Sequence, residues 1–158
     1  MFFYTDDQYS NLIARKMEVS DNVIPSSNSE MAKNLLLLSQ YFENKNYEEQ
    51  SAQMVKNVAE DIQKTPGYYS NWAQVIALEI QPPYEVAVVG KDWPSKLAEM
   101  QKKYLPNTLY LGGENEDSLP LLENKLMMGK TMIYVCQNKT CQRPVEEVSE
   151  ALKQIKAN

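Results

Sequence analysis

The sequence of 158 residues contains no histidine, two cysteines and two arginines. The absence of histidine removes the most common general base and the most common metal ligand of proteins. Two cysteines are too few for a disulfide-rich scaffold, and two arginines leave little scope for bidentate binding of phosphate or carboxylate groups. These shortages exclude many of the familiar catalytic and metal-binding arrangements.

Positive charge and long apolar runs are also scarce. The net charge is −5 and the sequence pI is about 4.9, which argues against nucleic acid or an anionic membrane surface as a partner. The run Leu35–Leu38 is far shorter than the ~18 apolar residues of a membrane span, and residues 1–7 do not have the pattern of a secretory signal. We therefore expect a cytoplasmic protein without a nucleic-acid or membrane partner.

The pattern of the chain changes at about residues 81–84, from helical periodicity to an alternation of β-rich and helical runs. This change predicts a helical hairpin region over residues 1–83 and a small α/β domain over residues 84–158. In the first region we expect one helix from Ser27, with the Ser27 hydroxyl as its cap and Glu30 completing a capping box. A second helix is predicted from Asn46 and a third from about Ser70 to Ile80.

The third predicted helix carries apolar residues around nearly its whole circumference. They are Trp72, Ala73, Val75, Ile76, Ala77, Leu78 and Ile80. A helix of this kind requires cover on all sides, and three helices cannot provide it for one of their own members. The helical region is therefore expected to need further neighbours, from the second half of the chain or from a partner.

The second half predicts three strands, over residues 86–89, 108–111 and 131–135. Helical runs follow from Asp92, over residues 118–126 and from Pro144. Strands that are joined by helical crossovers form a parallel sheet. The predicted fold class is thus mixed α and α/β, in which helical hairpins precede a small three-stranded parallel α/β unit.

Neither half contains a convincing cofactor motif. Gly129-Lys130-Thr131 matches the end of a phosphate-binding loop, but Asn124 stands where that loop requires glycine. Cys136 and Cys141 lie at the end of the third predicted strand, and their spacing allows reduced structural thiols or a disulfide. A metal site would need two further ligands from a second chain. We expect no cofactor and no metal in this chain.

Polar residues are concentrated on the irregular segment that leads into the first helix. Glu18 and Asp21 lie there beside Arg15, Ser26 and Asn28. Such a segment can line a cleft and present N–H groups to a ligand, and a carboxylate pair can perform acid–base chemistry on a sugar. The alternative is a well-capped helix entry that contains a salt bridge.

Two segments of the sequence resemble patterns of a known family. Residues 2–7 (FFYTDD) and 14–42 (ARKMEVSDNVIPSSNSEMAKNLLLLSQYF) resemble F-F-x-T…R-P-K-E-x-x-D-x-x-x-P-S-x-N-S…N-L-L-x-L, although Met17 replaces the proline. Residues 134–152 (YVCQNKTCQRPVEEVSEAL) resemble Y-V-C-x-N-x-x-C-x-x-P-V. Both patterns are typical of the C-terminal region of a family of thioredoxin-domain-containing, or spermatogenesis-associated, proteins.

The resemblance implies a longer parent polypeptide. Members of the family carry a thioredoxin-like domain followed by an (α/α)6 toroid, which is similar to those of N-acylglucosamine 2-epimerases and six-hairpin glycosidases. The helical region would then be the closing part of the toroid. The candidate cavity-lining residues would be Arg15, Glu18, Asp21, Ser26 and Asn28. No catalytic residue carries over from the family.

Three hypotheses for function follow. The first is a C-terminal fragment of a thioredoxin-linked helical toroid, non-catalytic alone, whose parent binds or acts on a carbohydrate-like ligand. Its partner would be the remainder of the parent polypeptide or another copy of the chain. The second is an interaction module that self-associates. The third is a small thiol redox or metal-binding protein that uses Cys136 and Cys141.

Overall fold

The computed structural model describes residues 1–8, 13–116 and 118–155. The chain divides into two compact units, Met1–Ile80 and Gln81–Asn158. The division lies between residues 80 and 81, whereas the sequence pattern placed it between residues 83 and 84. Helices and strands both occur, so the expected mixed fold class is confirmed at this level.

The described residues of the first unit form three α-helices and one short 3-10 turn, Pro66–Tyr68. The helices are α1 (Ser27–Phe42), α2 (Lys45–Lys64) and α3 (Ser70–Ile80). The predicted cap of α1 is wrong by one residue, since the Ser26 side chain accepts the hydrogen bond from the Ser29 amide. Likewise α2 begins before Asn46, because Asn44 is its cap.

The core of the first unit is formed by apolar side chains from all three helices and the turn between α2 and α3. They are Ala32, Leu35, Leu36, Met54, Val58, Tyr69, Trp72 and Val75. The Ser51 hydroxyl of α2 donates to the Ala32 carbonyl of α1 over 2.8 Å, so the two helices lie close together there. Burial of each larger side chain contributes about 1.5–3 kcal/mol relative to full exposure.

In the part of the second unit that the structure describes there are four strands, two α-helices and the 3-10 turn Pro120–Leu122. In chain order the strands and α-helices are β1 (Tyr84–Val89), α4 (Trp93–Met100), β2 (Thr108–Gly113), β3 (Met132–Gln137), β4 (Thr140–Cys141) and α5 (Val148–Gln154). The strand order is β2-β1-β3-β4. Strands β1 and β2 are parallel, with Val86 opposite Tyr110, whereas β1 and β3 are antiparallel, with Val86 opposite Val135.

The prediction of a three-stranded parallel unit is therefore wrong, and the cause lies between β2 and β3. The region 118–126, expected to be a helical crossover, contains only the 3-10 turn Pro120–Leu122 among its helical elements. The end of β2 and the start of β3 both lie beside Val89 at the same edge of the sheet. Because the described residues between β2 and β3 form no α-helix that carries the chain back across the sheet, β3 returns antiparallel to β1.

The last helix also begins later than predicted. Val145 exchanges two backbone hydrogen bonds with Ile133, at 2.8 and 3.0 Å. This pairing keeps the chain after Pro144 extended alongside β3, so α5 starts only at Val148. Of the residues expected in the first turn of the helix, Val145 therefore pairs with Ile133 of β3 instead.

The sheet of the second unit is covered on both faces. On one face α4 and α5 pack against a core that includes Val86, Val88, Ile133, Val135 and Met100. On the other face the 3-10 turn Pro120–Leu122 contacts β1 and β2. Because both faces of the sheet are covered, most of β1 is a continuous run of apolar residues.

Gly90, which follows β1, is predicted to be indispensable for the second unit. Its φ is +129°, and a Cβ atom there would lie 2.4 Å from the Lys130 carbonyl oxygen. Gly129 also has a positive φ, +75°, but a Cβ atom there meets nothing within 4 Å. We expect Gly90→Ala to lower the free energy of unfolding by about 3 kcal/mol or more and Gly129→Ala by about 1 kcal/mol. Urea unfolding measures both values, and equal losses would contradict this description of Gly90.

Candidate functional site

The polar residues that precede α1 form a cluster around the buried carboxylate of Asp21, which is 3% exposed. One carboxylate oxygen, Oδ1, accepts from the Ser26 amide at 2.9 Å and from the Ser29 hydroxyl at 2.7 Å. The other oxygen, Oδ2, accepts from the backbone amide of Asn71 at 2.8 Å. A single side chain thus contacts the beginnings of both α1 and α3.

Helix geometry explains this position of Asp21. The first amides of a helix have no intrahelical partner, and Asn71 and Trp72 lie in the first turn of α3. Negative charge is also favourable at a helix N-terminus. The Asp21 amide in turn donates to the Tyr68 carbonyl over 2.7 Å, just before α3. Asp21 therefore joins two helix beginnings that are far apart in the sequence.

The hydrogen bonds decide the charge state of Asp21. Burial on its own would raise the pKa of this carboxyl group. Donors from Ser26, Ser29, Asn71 and Trp72 stabilise the ionised form and outweigh burial, so the pKa lies below the ordinary value of 3.8. Asp21 is consequently a carboxylate at neutral pH.

Ser26 holds the preceding segment as well as capping α1. Its hydroxyl accepts from the Ser29 amide at 3.1 Å and donates to the Val19 carbonyl at 2.9 Å. The same carbonyl accepts from the Trp72 indole nitrogen at 2.7 Å. Val19 is thereby fixed between α1 and α3.

Asn28 attaches the N-terminal segment to α1. Its amide nitrogen donates to the carbonyls of Phe2 and Glu18, at 3.0 and 2.7 Å. Its amide oxygen accepts from the Phe2 amide at 2.7 Å. Asn28 is fully buried, so its polar atoms are used inside the unit, like those of Asp21 and Ser26.

Glu18 is only partly buried. Its carboxylate accepts from the Ser27 amide at 3.1 Å. A hydrogen bond from the Tyr4 hydroxyl, followed by the one from Ser27, lowers the pKa of Glu18 below its ordinary value. The same hydrogen bond is the main cause of the raised pKa of Tyr4. Glu18 is thus an ionised acceptor beside a phenol.

Arg15 is also partly buried. One guanidinium nitrogen donates to the Thr5 carbonyl over 2.6 Å, and the guanidinium carbon lies 4.2 Å from the centre of the Phe3 ring. Of the five candidate cavity-lining residues, Arg15 and Glu18 are therefore the two whose side chains retain exposure.

The sequence pattern missed the participation of Asn71 and Glu30 in this cluster. The Asn71 side chain donates to the Ser29 hydroxyl at 3.0 Å and to the Glu30 carboxylate at 2.9 Å. Glu30 therefore reaches α3 rather than the predicted capping box. The one local signal for Asn71 was its place directly after Ser70, the first residue of the third predicted helix.

Cys136 and Cys141, the candidate thiol pair, form a disulfide between β3 and β4, with their Cα atoms 3.8 Å apart. Cys136 is 1% exposed, whereas Cys141 is exposed. Of the alternatives that the spacing left open, the structure has the disulfide. Among the described residues there is no group of three histidine, cysteine or acidic residues that could hold a metal ion.

Helix α3 has one buried and one exposed apolar side. Trp72 and Val75 are completely buried in the first unit. The opposite side is formed by residues at spacings of three and four, which we call the outer face of α3: Ala73, Ile76, Ala77 and Ile80. Ile80 is 79% exposed and both alanines are exposed. The expected shortage of neighbours for this helix is thus visible in the structure.

A second apolar stripe lies on α1. Met31, Leu38 and Phe42 recur at helical spacing and are 37%, 40% and 52% exposed. None of the helices in the described part of the chain is long and apolar enough to cross a membrane.

Comparison with known proteins finds a distant relative. Spermatogenesis-associated protein 20 of Homo sapiens is 22% identical over 155 residues, which cover 91% of this chain and 20% of the human protein. No family model matches, and no solved structure matches. The chain thus spans about a fifth of the length of this relative. The similarity agrees loosely with the family that the sequence motifs indicated.

Replacement of Asp21 is predicted to destabilise the first unit. Asp21→Ala removes the acceptor for two helix beginnings and leaves buried donors without a partner. We expect the free energy of unfolding to fall by about 2–4 kcal/mol. The neighbouring exposed residue provides the control, and Asn22→Ala is expected to change stability by less than about 0.5 kcal/mol. Urea unfolding of both variants measures the difference, and similar losses would refute the role of Asp21.

Acid is predicted to weaken the same unit. Because the pKa of Asp21 is lowered in the folded state, its ionised form stabilises the fold above the unfolded-state pKa near 3.8. This contribution is lost as the pH falls from about 4 towards the folded-state pKa. Urea midpoints measured between about pH 2 and 6 should decrease in this range. Asp21→Asn should show a smaller decrease, and an unchanged slope would contradict the assignment.

Proposed function

We propose that the first unit is an assembly segment that packs against further helical hairpins of a longer polypeptide, and that this chain is non-catalytic alone. The observation that carries the proposal is the outer face of α3, an uncharged apolar stripe on the side opposite the core. Apolar surface that is exposed on one side of a helix is suited to contact with another protein segment.

The composition of the outer face suits another helix. Ala73 and Ala77 are small, so a neighbouring helix can approach α3 closely, while Ile76 and Ile80 supply apolar area. Complete burial of an isoleucine side chain contributes about 1.5–3 kcal/mol. Glutamate and lysine are absent from the face, so no charge would have to be desolvated when a helix docks.

The length of the relative supports a helical partner from the same polypeptide. About four fifths of the human protein lies outside the region that matches this chain, and that remainder is long enough to supply the missing neighbours. In an (α/α)6 toroid each hairpin packs between two others, which would cover the outer face of α3. A toroid parent linked to a thioredoxin-like domain is therefore part of the proposal.

We further propose that the longer parent polypeptide, rather than this chain alone, binds a carbohydrate-like ligand. The support for this binding is the family resemblance together with the partial exposure of Arg15 and Glu18. Asp21, Ser26 and Asn28 use their polar atoms in the hydrogen bonds that hold the segment before α1. In this proposal those three residues shape the cavity wall, and Arg15 and Glu18 are the side chains that would reach a ligand.

Charge on the outer face is predicted to abolish assembly. The probe is the human relative from which the matching region has been deleted, mixed with the full chain of this protein. We expect a complex of one copy of each, and a loss of affinity of at least about tenfold for Ala73→Asp/Ala77→Asp. Ala59→Asp, an exposed alanine in the interior of α2, is the control for the cost of aspartate in a helix. Sedimentation velocity measures the complex.

The outcomes of this experiment separate the proposal from its alternative. A concentration-dependent dimer of the chain alone, dissolved by the same double substitution, would favour the self-associating module. A monomer that binds nothing, and whose behaviour the double substitution does not alter, would contradict both.

A further inference from the structure

We propose that the Cys136–Cys141 disulfide is a thiol–disulfide exchange site, in which Cys141 is the sulfur that external thiols attack and Cys136 is the resolving cysteine. The proposal concerns the second unit and is independent of the assembly function of the first. It rests on the position of the pair in its hairpin, on the unequal exposure of the two cysteines and on the charges beside Cys141.

The hairpin is held by backbone hydrogen bonding on either side of the disulfide. Asn138 and Lys139 form a two-residue turn in which both φ angles are positive, 51° and 60°, as hairpin turns of this length require. Gln137 pairs with Thr140 next to the turn. On the other side of the disulfide the Gln142 amide donates to the Val135 carbonyl over 2.9 Å. Turn and ladder thus keep the two cysteines opposite each other without the sulfur–sulfur bond.

The chain that follows β4 is also hydrogen-bonded to β3 beyond the hairpin. Val145 pairs with Ile133 further along β3, so the strand that carries Cys141 is anchored at both ends. A reduced hairpin would keep its two thiols facing each other, ready to form the bond again. A disulfide whose loss leaves the backbone in place can be opened and closed in the folded protein.

The unequal exposure of the cysteines assigns their roles. Cys136 is 1% exposed and lies on β3, where it is paired with Glu85 of β1. Cys141 lies on β4, the outermost strand, and is exposed. A thiolate from solution can therefore approach the disulfide from the side of Cys141. The buried Cys136 is left to attack any mixed disulfide that forms there.

Two positively charged residues lie close to Cys141 in the sequence. Lys139 and Arg143, each two residues from Cys141, are both exposed. Positive charge stabilises thiolates and attracts anionic thiols. The free thiol of Cys141 would therefore be the more reactive of the two when the pair is reduced.

The exchange balances with a dithiol as the co-reactant. A thiolate of the dithiol attacks Sγ of Cys141, the bond between the two cysteines breaks, and its electron pair goes to Sγ of Cys136, which takes up a proton. The second thiolate of the donor then attacks the donor sulfur bound to Cys141 and releases the Cys141 thiolate, which is protonated in turn. The donor leaves as a disulfide, and the protein has gained two electrons and two protons. The reverse sequence oxidises a dithiol.

The test uses the full chain, with dithiothreitol and oxidised glutathione as probes. Dithiothreitol should reduce the folded protein, and its removal in the presence of oxidised glutathione should restore the disulfide, as counted by thiol alkylation and mass spectrometry. Cys136→Ser leaves Cys141 free and should form a glutathione adduct at least about tenfold faster than Cys141→Ser, which leaves the buried thiol. The double serine variant, as the control for folding, should keep its circular dichroism and unfold cooperatively.

Two results would overturn the proposal. One is reduction that occurs only at urea concentrations that unfold the second unit, which would make the disulfide a purely structural cross-link. The other is an equal rate of glutathione addition in the two single variants when both are folded, which would remove the assignment of Cys141 as the attacked sulfur.

Discussion

The first unit depends on one buried carboxylate. Asp21 accepts hydrogen bonds from the beginnings of α1 and α3, so the short segment 19–28 is tied to both helices. The surrounding hydrogen bonds of Ser26 and Asn28 hold the irregular chain against these helices. Because α3 is fixed at its beginning in this way, its buried side faces α1 and α2, and its outer face is turned away from the core.

Local patterns predicted much of this architecture. The periodicity of apolar residues located α1, α2 and α3 to within a few residues, since a helix is specified by neighbours three and four positions apart. The cap is Ser26 in place of Ser27, and the periodicity of apolar residues does not distinguish these two neighbouring serines. The contact between Asp21 and Asn71 joins residues 50 positions apart. Such a pairing exists only once the helices have packed. The sequence could therefore predict a capped beginning of α1, but it could not predict the contact of Asp21 with α3.

The second unit shows the same division between local and distant information. The sequence predicted β1, β2 and β3 from their short apolar runs but missed β4, Thr140–Cys141. Strand direction depended on the connection between β2 and β3. In its described residues that connection has the 3-10 turn Pro120–Leu122 as its helical element, and the parallel prediction failed there. The hairpin of β3 and β4 places Cys136 opposite Cys141. The two units have different surface features: an apolar helix face in the first, and in the second a disulfide of which Cys141 is the exposed member.

Assembly of the first unit requires another polypeptide to cover the outer face of α3. Hydrogen–deuterium exchange measured by mass spectrometry tests this claim directly. In the isolated chain, the amides at the beginning of α3, held by Asp21, should exchange more slowly than those near Ile80. Addition of the human relative without its matching region should slow exchange across the later turns. Uniform, strong protection of α3 in the isolated chain, unchanged by the added protein, would contradict the account.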